Sequence, residues 1–290
     1  MNTKYFSKLF RFFLLITIVS FFNISSPIFS KNLEEIHIQK NPITGEEYKF
    51  RNVPKNLPLI KAFTIQDLVK DSCIKSAEFV EHRYGDHLLI EFDYGEGKIG
   101  KVKLYYWIYK SVSDAEFSMV DYFGLLSLGF TNAIDINKYE IGDNCWYNTK
   151  ILEYTPMTFL RNNVRVLLGF DRDSNPNAVL IFAKKVDEAI INAEKVSDVK
   201  FIPAPIINSI EIIPAYPIVG EEVTLHIDAI DPNNLDLKFF RYGWPIGCNF
   251  PDGIIKIYRS NVDEAGLHEF YFWVMNEDRI VTLAKKEISF

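Results

Sequence analysis

The spacing of apolar positions changes repeatedly along the chain, and each change predicts an element. A largely apolar, charge-free run from Phe12 to Phe22 comes first, preceded by Lys4, Lys8 and Arg11 and followed by a serine-containing stretch to Ser30. That layout predicts a secretory signal peptide, residues 1–30, because spanning a bilayer takes about 20 apolar residues and this run is too short. Residues 31–60 are polar and proline-punctuated and read as a lead-in arm. Within it, Ile36 to Gln39 and Tyr48 to Phe50 flank the turn Asn41-Pro42-Ile43-Thr44-Gly45, which predicts a short hairpin.

Helical spacing follows. Thr64-Ile65-Gln66-Asp67 resembles a capping box, and Leu68, Val69, Cys73, Ala77 and Val80 predict a first helix over 65–81. The period then drops to two: Leu88, Ile90, Phe92 and Tyr94, then Val102, Leu104, Tyr106 and Ile108, either side of Gly95-Glu96-Gly97, predict a β-hairpin. Ser113-Asp114-Ala115-Glu116 is a capping-box match and opens a second helix through Phe117, Val120 and Phe123, with Gly129 as its stop. The segment from Glu140 to Tyr147 leads into another hairpin, Met157 to Leu160 and Val164 to Phe170. A last helix from Ala178 to Ala193 presents Val179, Phe182, Val186 and Ile190. Over 61–202 this order predicts an α+β domain, antiparallel hairpins with helices packed on one face.

Pro203, Pro205, Pro214 and Pro217 mark a domain boundary. Beyond it, Ile206 to Ile213, Val223 to Ile230, Leu237 to Tyr242, Ile254 to Tyr258, Phe270 to Met275 and Ile280 to Ile288 are short strands between turn signals. They predict an all-β, immunoglobulin-like sandwich over 203–290. This part resembles a PKD-like member of the immunoglobulin-fold superfamily found on exported bacterial proteins. The resemblance rests on Val219-Gly-Glu-Glu-Val-Thr-Leu225, Asp228-Ala-Ile-Asp-Pro-Asn-Asn-Leu-Asp-Leu237 and Ala265-Gly-Leu-His-Glu-Phe270. It implies spacing, presentation, or contact with protein or carbohydrate, and no catalysis. The first domain resembles uncharacterised exported bacterial domains through Ile74-Lys-Ser-Ala-Glu-Phe-Val80, Ser113-Asp-Ala115 and Ile141-Gly-Asp143, a likeness that implies no reaction.

Charge narrows the partners. The chain carries 32 basic and 38 acidic residues, and three of the basic ones lie in the leader, so cleavage makes the mature protein more acidic still. Such a surface suits neither nucleic acid nor anionic lipid. Export to the periplasm or the cell exterior also removes nucleotide cofactors. The three cysteines leave two readings open: a Cys73–Cys145 disulfide, or buried thiols acting as small hydrophobes.

Motifs with chemistry fail on context. Gly95-Glu-Gly-Lys-Ile-Gly100 satisfies a dinucleotide fingerprint but leads into a strand, and the Walker-like reading has Val102 where Ser or Thr would hold magnesium. Ser127 is one position late for a nucleophile elbow. Asp171, Asp173 and Asn175 open like a calcium loop, but Pro176 and Phe182 occupy the positions needing Gly and Glu. Asp228, Asp231, Asn233 and Asp236 gather loop oxygens for a candidate calcium site, against the reading of an Asp-Pro turn with Asx hydrogen bonds. Glu81, His82 and His87 are candidate zinc ligands that lack a helix to pair them. Tyr105, Trp107 and Tyr109 share one strand face, as do Tyr271 and Trp273; they are either core or a strip for a glycan or protein partner.

No catalytic residue and no cofactor beyond calcium is assigned. The expectation is an exported, non-enzymatic binding or structural protein, partnered by protein or glycan of the cell envelope and free of transmembrane spans after cleavage. Two alternatives stand beside it: a polymer-acting hydrolase or lyase using Glu91, Asp93 and Glu81, and a component of an envelope complex.

Overall fold

Period-two sequence becomes strand almost throughout the computed structural model, which describes residues 36–42, 44–54, 57–63, 68, 74–80, 87–125, 140–147, 157–170, 176–242, 250–257 and 264–290. The expected signal peptide lies outside these residues. The arm forms its hairpin, β1 (Ile36–Lys40) antiparallel to β2 (Glu47–Arg51), and β3 (Leu59–Ala62) follows. Where the first helix was expected, residues 74–80 are instead a strand, β4 (Ile74–Val80). Among the described residues it pairs only with β5 (His87–Asp93), with a register shift between Ile74 and Ser76, and its five inner residues are exposed. An exposed edge strand needs no alternation, so its few apolar residues mimicked helical spacing, and pairing with β5 decided the outcome. Leu68 is helical and buried; the rest of 64–73 lies outside the described residues.

β5 turns into β6 (Ile99–Tyr109) through Gly95, Glu96 and Gly97, all at positive φ, so the glycine-rich stretch is a hairpin turn. Helix α1 (Val112–Leu125) starts earlier than its expected cap. The Ser111 hydroxyl accepts the Asp114 amide at 3.0 Å, so Ser111 is the N-cap and Glu116 is free for other work. Its expected stop at Gly129 lies outside the described residues. Then come β7 (Asn144–Tyr147), β8 (Met157–Arg161), β9 (Val164–Phe170), α2 (Pro176–Asn192) and β10 (Glu194–Val196), which pairs with β3. The C-terminal strands are β11 (Ile206–Ile213), β12 (Val223–Ile230), β13 (Leu237–Arg241), β14 (Ile254–Ile257), β15 (Leu267–Asn276) and β16 (Ile280–Ser289).

β6 organises a nine-stranded sheet of order β13-β15-β16-β6-β9-β8-β7, with β5 and β4 branching from β6. One edge of β6 holds β9. The other is shared, by antiparallel β5 along 99–104 and by parallel β16 at Ile108 and Tyr109. Sheet hydrogen bonding therefore continues past the boundary expected near residue 203, and residues 36–290 form one compact unit.

Both faces of β6 are apolar, which corrects the expectation of helices on one face. Val102, Leu104, Tyr106 and Ile108 join a core with Val179, Phe182 and Val186 of α2. Trp107 and Tyr109 join a second core with Met119, Val120 and Phe123 of α1, together with Trp273. The helices thus cover opposite faces, because a strand apolar at both parities must be buried twice. A third core lies between the sheet β11-β12-β14 and strands β13, β15 and β16, built from Val223, Leu225, Ile255, Phe270, Phe272 and Val274 among others. Mostly strand with two helices among the described residues, the chain is an α+β protein, and none of its described helices is long and apolar enough to cross a membrane.

Candidate functional site

Ionisable side chains gather at three buried places, and each joins elements distant in sequence. The first centres on Arg161, at the β8–β9 turn. Its Nε and Nη2 donate to Asp187 Oδ1 and Oδ2 on α2 at 2.7 and 2.6 Å, and its Nη1 donates to Asp143 Oδ1 at 2.7 Å. Asp187 also accepts the Gly142 amide at 3.0 Å, and Asp143 accepts the Asn162 amide. Each of the three guanidinium nitrogens and each of the four carboxylate oxygens thereby has a partner. Gly142 has φ +66°, and a Cβ there would stand 2.4 Å from the Leu160 carbonyl oxygen, so only glycine allows this approach. Burial pushes the Asp143 carboxyl up, partly opposed by Arg161 and the Asn162 amide. Burial would lower the Arg161 pKa, but the two carboxylates outweigh it and raise it. The cluster is a clamp holding α2 to the β7–β9 strands.

Beside it, Cys145 is a free, buried thiol whose pKa is pushed up to about 12, by burial first and by Asp187 second. It stays protonated at neutral pH and is no nucleophile. The buried-thiol reading holds for Cys145, while Cys73 and Cys248 lie outside the described residues. The neighbouring Asn163 ties three strands: its Nδ2 donates to the Ile60 and Tyr109 carbonyls at 2.9 and 2.6 Å, and its Oδ1 accepts the Ile60 amide at 2.7 Å. Sequence reading saw only a turn at Arg161-Asn162-Asn163, and no local signal could show these partners.

The second cluster holds the arm. Buried Glu116 of α1 faces His37 Nε2 at 2.9 Å and accepts from Gln39 Nε2 at 3.2 Å, both on β1. Burial raises its pKa, and the His37 and Gln39 contacts oppose the rise. Asn41 adds a bond from its Nδ2 to the Val120 carbonyl at 3.1 Å, and the fully buried Phe50 meets Trp146 edge-on at 5.3 Å. The arm is docked.

Arg165 is the third. Its guanidinium lies between the Trp107 and Tyr122 rings, 4.8 and 4.7 Å from their centroids, and Nη1 donates to the Ser118 carbonyl at 2.9 Å. Protein atoms enclose Nε and Nη2 so closely that no solvent reaches them. The aromatic faces attract the charge, and the residue fastens α1 to the sheet.

The structure gives several sequence candidates their surroundings. Trp107, Tyr109 and Trp273 are buried in the core with α1, while Tyr105 and Tyr271 are half-buried at its margin, and Tyr271 and Trp273 lie 4.8 and 6.1 Å from the Phe117 ring. Glu91 pairs with Lys101 at 2.6 Å, and Asp93 accepts the Gly95 amide at 2.8 Å in the hairpin turn. Glu81, His82, Ser127, Asp171, Asp173 and Asn175 lie outside the described residues. In the candidate calcium stretch, Asp231 is buried and its Oδ1 accepts the Asn233 and Leu235 amides at 2.8 and 3.3 Å. Its Oδ2 accepts from Asn276 at 2.8 Å. Asp228 accepts from Asn208 at 3.1 Å, and Asn233 and Asp236 are exposed. The hydrogen bonds are those of the Asx turn. Among the described residues, no group of three or more His, Cys, Asp or Glu is placed to hold a metal ion.

What remains open is a surface. The outward side of β11-β12-β14 carries Ile206, Ile213, Ile230 and Ile254, all exposed, and the loop after β11 adds Tyr216 and Ile218, 90% and 62% exposed. Ile206 stands directly opposite Ile230. Six large apolar residues on one sheet and its loop, interleaved on the strands with exposed Glu211, His226, Asp228 and Lys256, form a candidate contact surface. No family model, no curated protein and no solved structure matches the chain.

Proposed function

We propose that this is an exported, non-enzymatic binding or structural protein of the cell envelope, in which an immunoglobulin-like sandwich over 203–290 presents the contact surface. The exposed isoleucines on the outward side of β11-β12-β14, with Tyr216 and Ile218 beside them, carry the reading, because exposed large apolar side chains gathered on one surface mark contact with other macromolecules. Two facing three-strand groups around one apolar core support the sandwich. The leader layout Lys4, Lys8, Arg11 and Phe12 to Phe22 supports export. The parallel joint of β16 to β6 suits a presenting role, since it fixes the sandwich to the α+β body.

The test is retention of envelope protein or glycan by the purified protein, with and without calcium, compared with a Tyr216→Ser/Ile218→Ser variant. Retention by the native protein and its loss in the variant is the expected result. Equal retention by both, or none by either, overturns the reading.

A further inference from the structure

The outer edge of β11 differs from the edges of the nine-stranded sheet and from the far edge of its own. β4 carries Lys75 and Glu78, β13 carries Lys238 and Arg241, β14 is four residues long with Lys256 paired to Glu222, and β7 is buried. Charge, shortness or burial thus guards each of them against pairing. β11 is guarded least: eight residues, five of them isoleucine, no lysine, Glu211 as its one charge, and β12 as its sole strand partner among the described residues.

We propose that β11 pairs antiparallel with β11 of a second copy about a two-fold axis at Ile210. The strand's own pattern selects this partner. β11 bulges between Ile207 and Ser209, which shifts the side-chain alternation by one residue, so Ile206 and Ile213 both point outward while Ile207 and Ile212 both point inward. Run against itself about Ile210, the strand sets Ile206 opposite the second copy's Ile213 and Ile207 opposite its Ile212, like face to like face. Glu211, the strand's one charge, then meets the hydroxyl of Ser209 in the other copy instead of a second carboxylate. Without the bulge the same alignment would join opposite faces. Asn208 keeps the bulge in place by donating to Asp228 at 3.1 Å. A two-fold pairing also consumes both open edges at once and closes, where a head-to-tail pairing would propagate.

The inference rests on the reading of this sheet as a contact surface and names a partner for it. The full chain, purified as the cell processes it, is tested by sedimentation equilibrium. A dimer is expected. Ser209→Glu sets like charges against each other twice across the axis and weakens the dimer about tenfold. Ser209→Glu/Glu211→Lys restores it, because the new carboxylate then meets the new ammonium. In a separate arm, oxidised Ile210→Cys gives a cross-link that peptide mapping places at 210 to 210. A monomer at tens of micromolar, a dimer indifferent to Ser209→Glu, or absence of the 210 cross-link overturns the pairing. Envelope binding by a protein that stays monomeric removes the self-pairing alone. A dimer that retains no envelope component keeps it and removes the wider reading.

Discussion

Arg161→Met tests the clamp most directly, since methionine keeps an unbranched apolar stem and removes three charge-assisted hydrogen bonds of 2.6 to 2.7 Å. Two carboxylates then lose the cation they share in a site where Asp187 is almost fully buried. Stranding a buried ionic partner costs about 3–5 kcal/mol. In a protein of this size each kcal/mol moves Tm by about 2–4 °C, so a fall of about 6–20 °C is expected. The deficit should depend on pH. Burial already pushes the Asp143 carboxyl up, and without the guanidinium nothing of comparable strength opposes that rise. An acid whose folded pKa is raised contributes stability below its unfolded pKa and loses it as pH climbs through the folded value. The variant should therefore lie closest to the native protein near pH 4 and farthest near pH 8, about the span that brackets a raised carboxyl. Thermal unfolding followed by circular dichroism across that range measures both effects. Adding Asp143→Asn and Asp187→Asn to Arg161→Met should recover much of the loss by removing the stranded charges. A fall smaller than about 2 °C, or a deficit that deepens toward acid, refutes the reasoning.

Glu116→Gln keeps an oxygen for His37 and Gln39 and removes the buried charge. Because burial raises the native carboxyl, wild type should lose stability as pH rises through that pKa, whereas the variant should not. Chemical denaturation should show the variant at least as stable at neutral pH and the two converging in acid; a variant weaker at neutral pH alone contradicts this. Phe50→Ala empties a fully buried site and should cost about 3–5 kcal/mol. Hydrogen exchange should show the loss concentrated in β1 and β2, with β6 and β9 protected, and uniform loss would count against an independently docked arm.

The residues that reveal and those that conceal the fold differ in kind. Alternation at Leu88 to Tyr94, at Val102 to Ile108 and at Val223 to Ile230 predicted strands that the structure contains, because period two follows from backbone geometry alone. β4 was misread because an exposed edge leaves no periodic trace. The Asx turn at Asp231 was readable, since its partners lie within four residues. Nothing local at Glu116, Asn163 or Arg161 announces partners up to 103 residues away.

Sequence by itself settled where most of the strands and the helices α1 and α2 fall, β4 excepted, and that β6 is apolar at both parities. Only the tertiary structure decided that α1 and α2 take opposite faces, that β16 enters the sheet beside β6, and which charged groups become clamps. Local periodicity records the environment of each face, buried or wet. It carries no information about which distant element does the burying, and that choice is made when all the apolar faces are covered together.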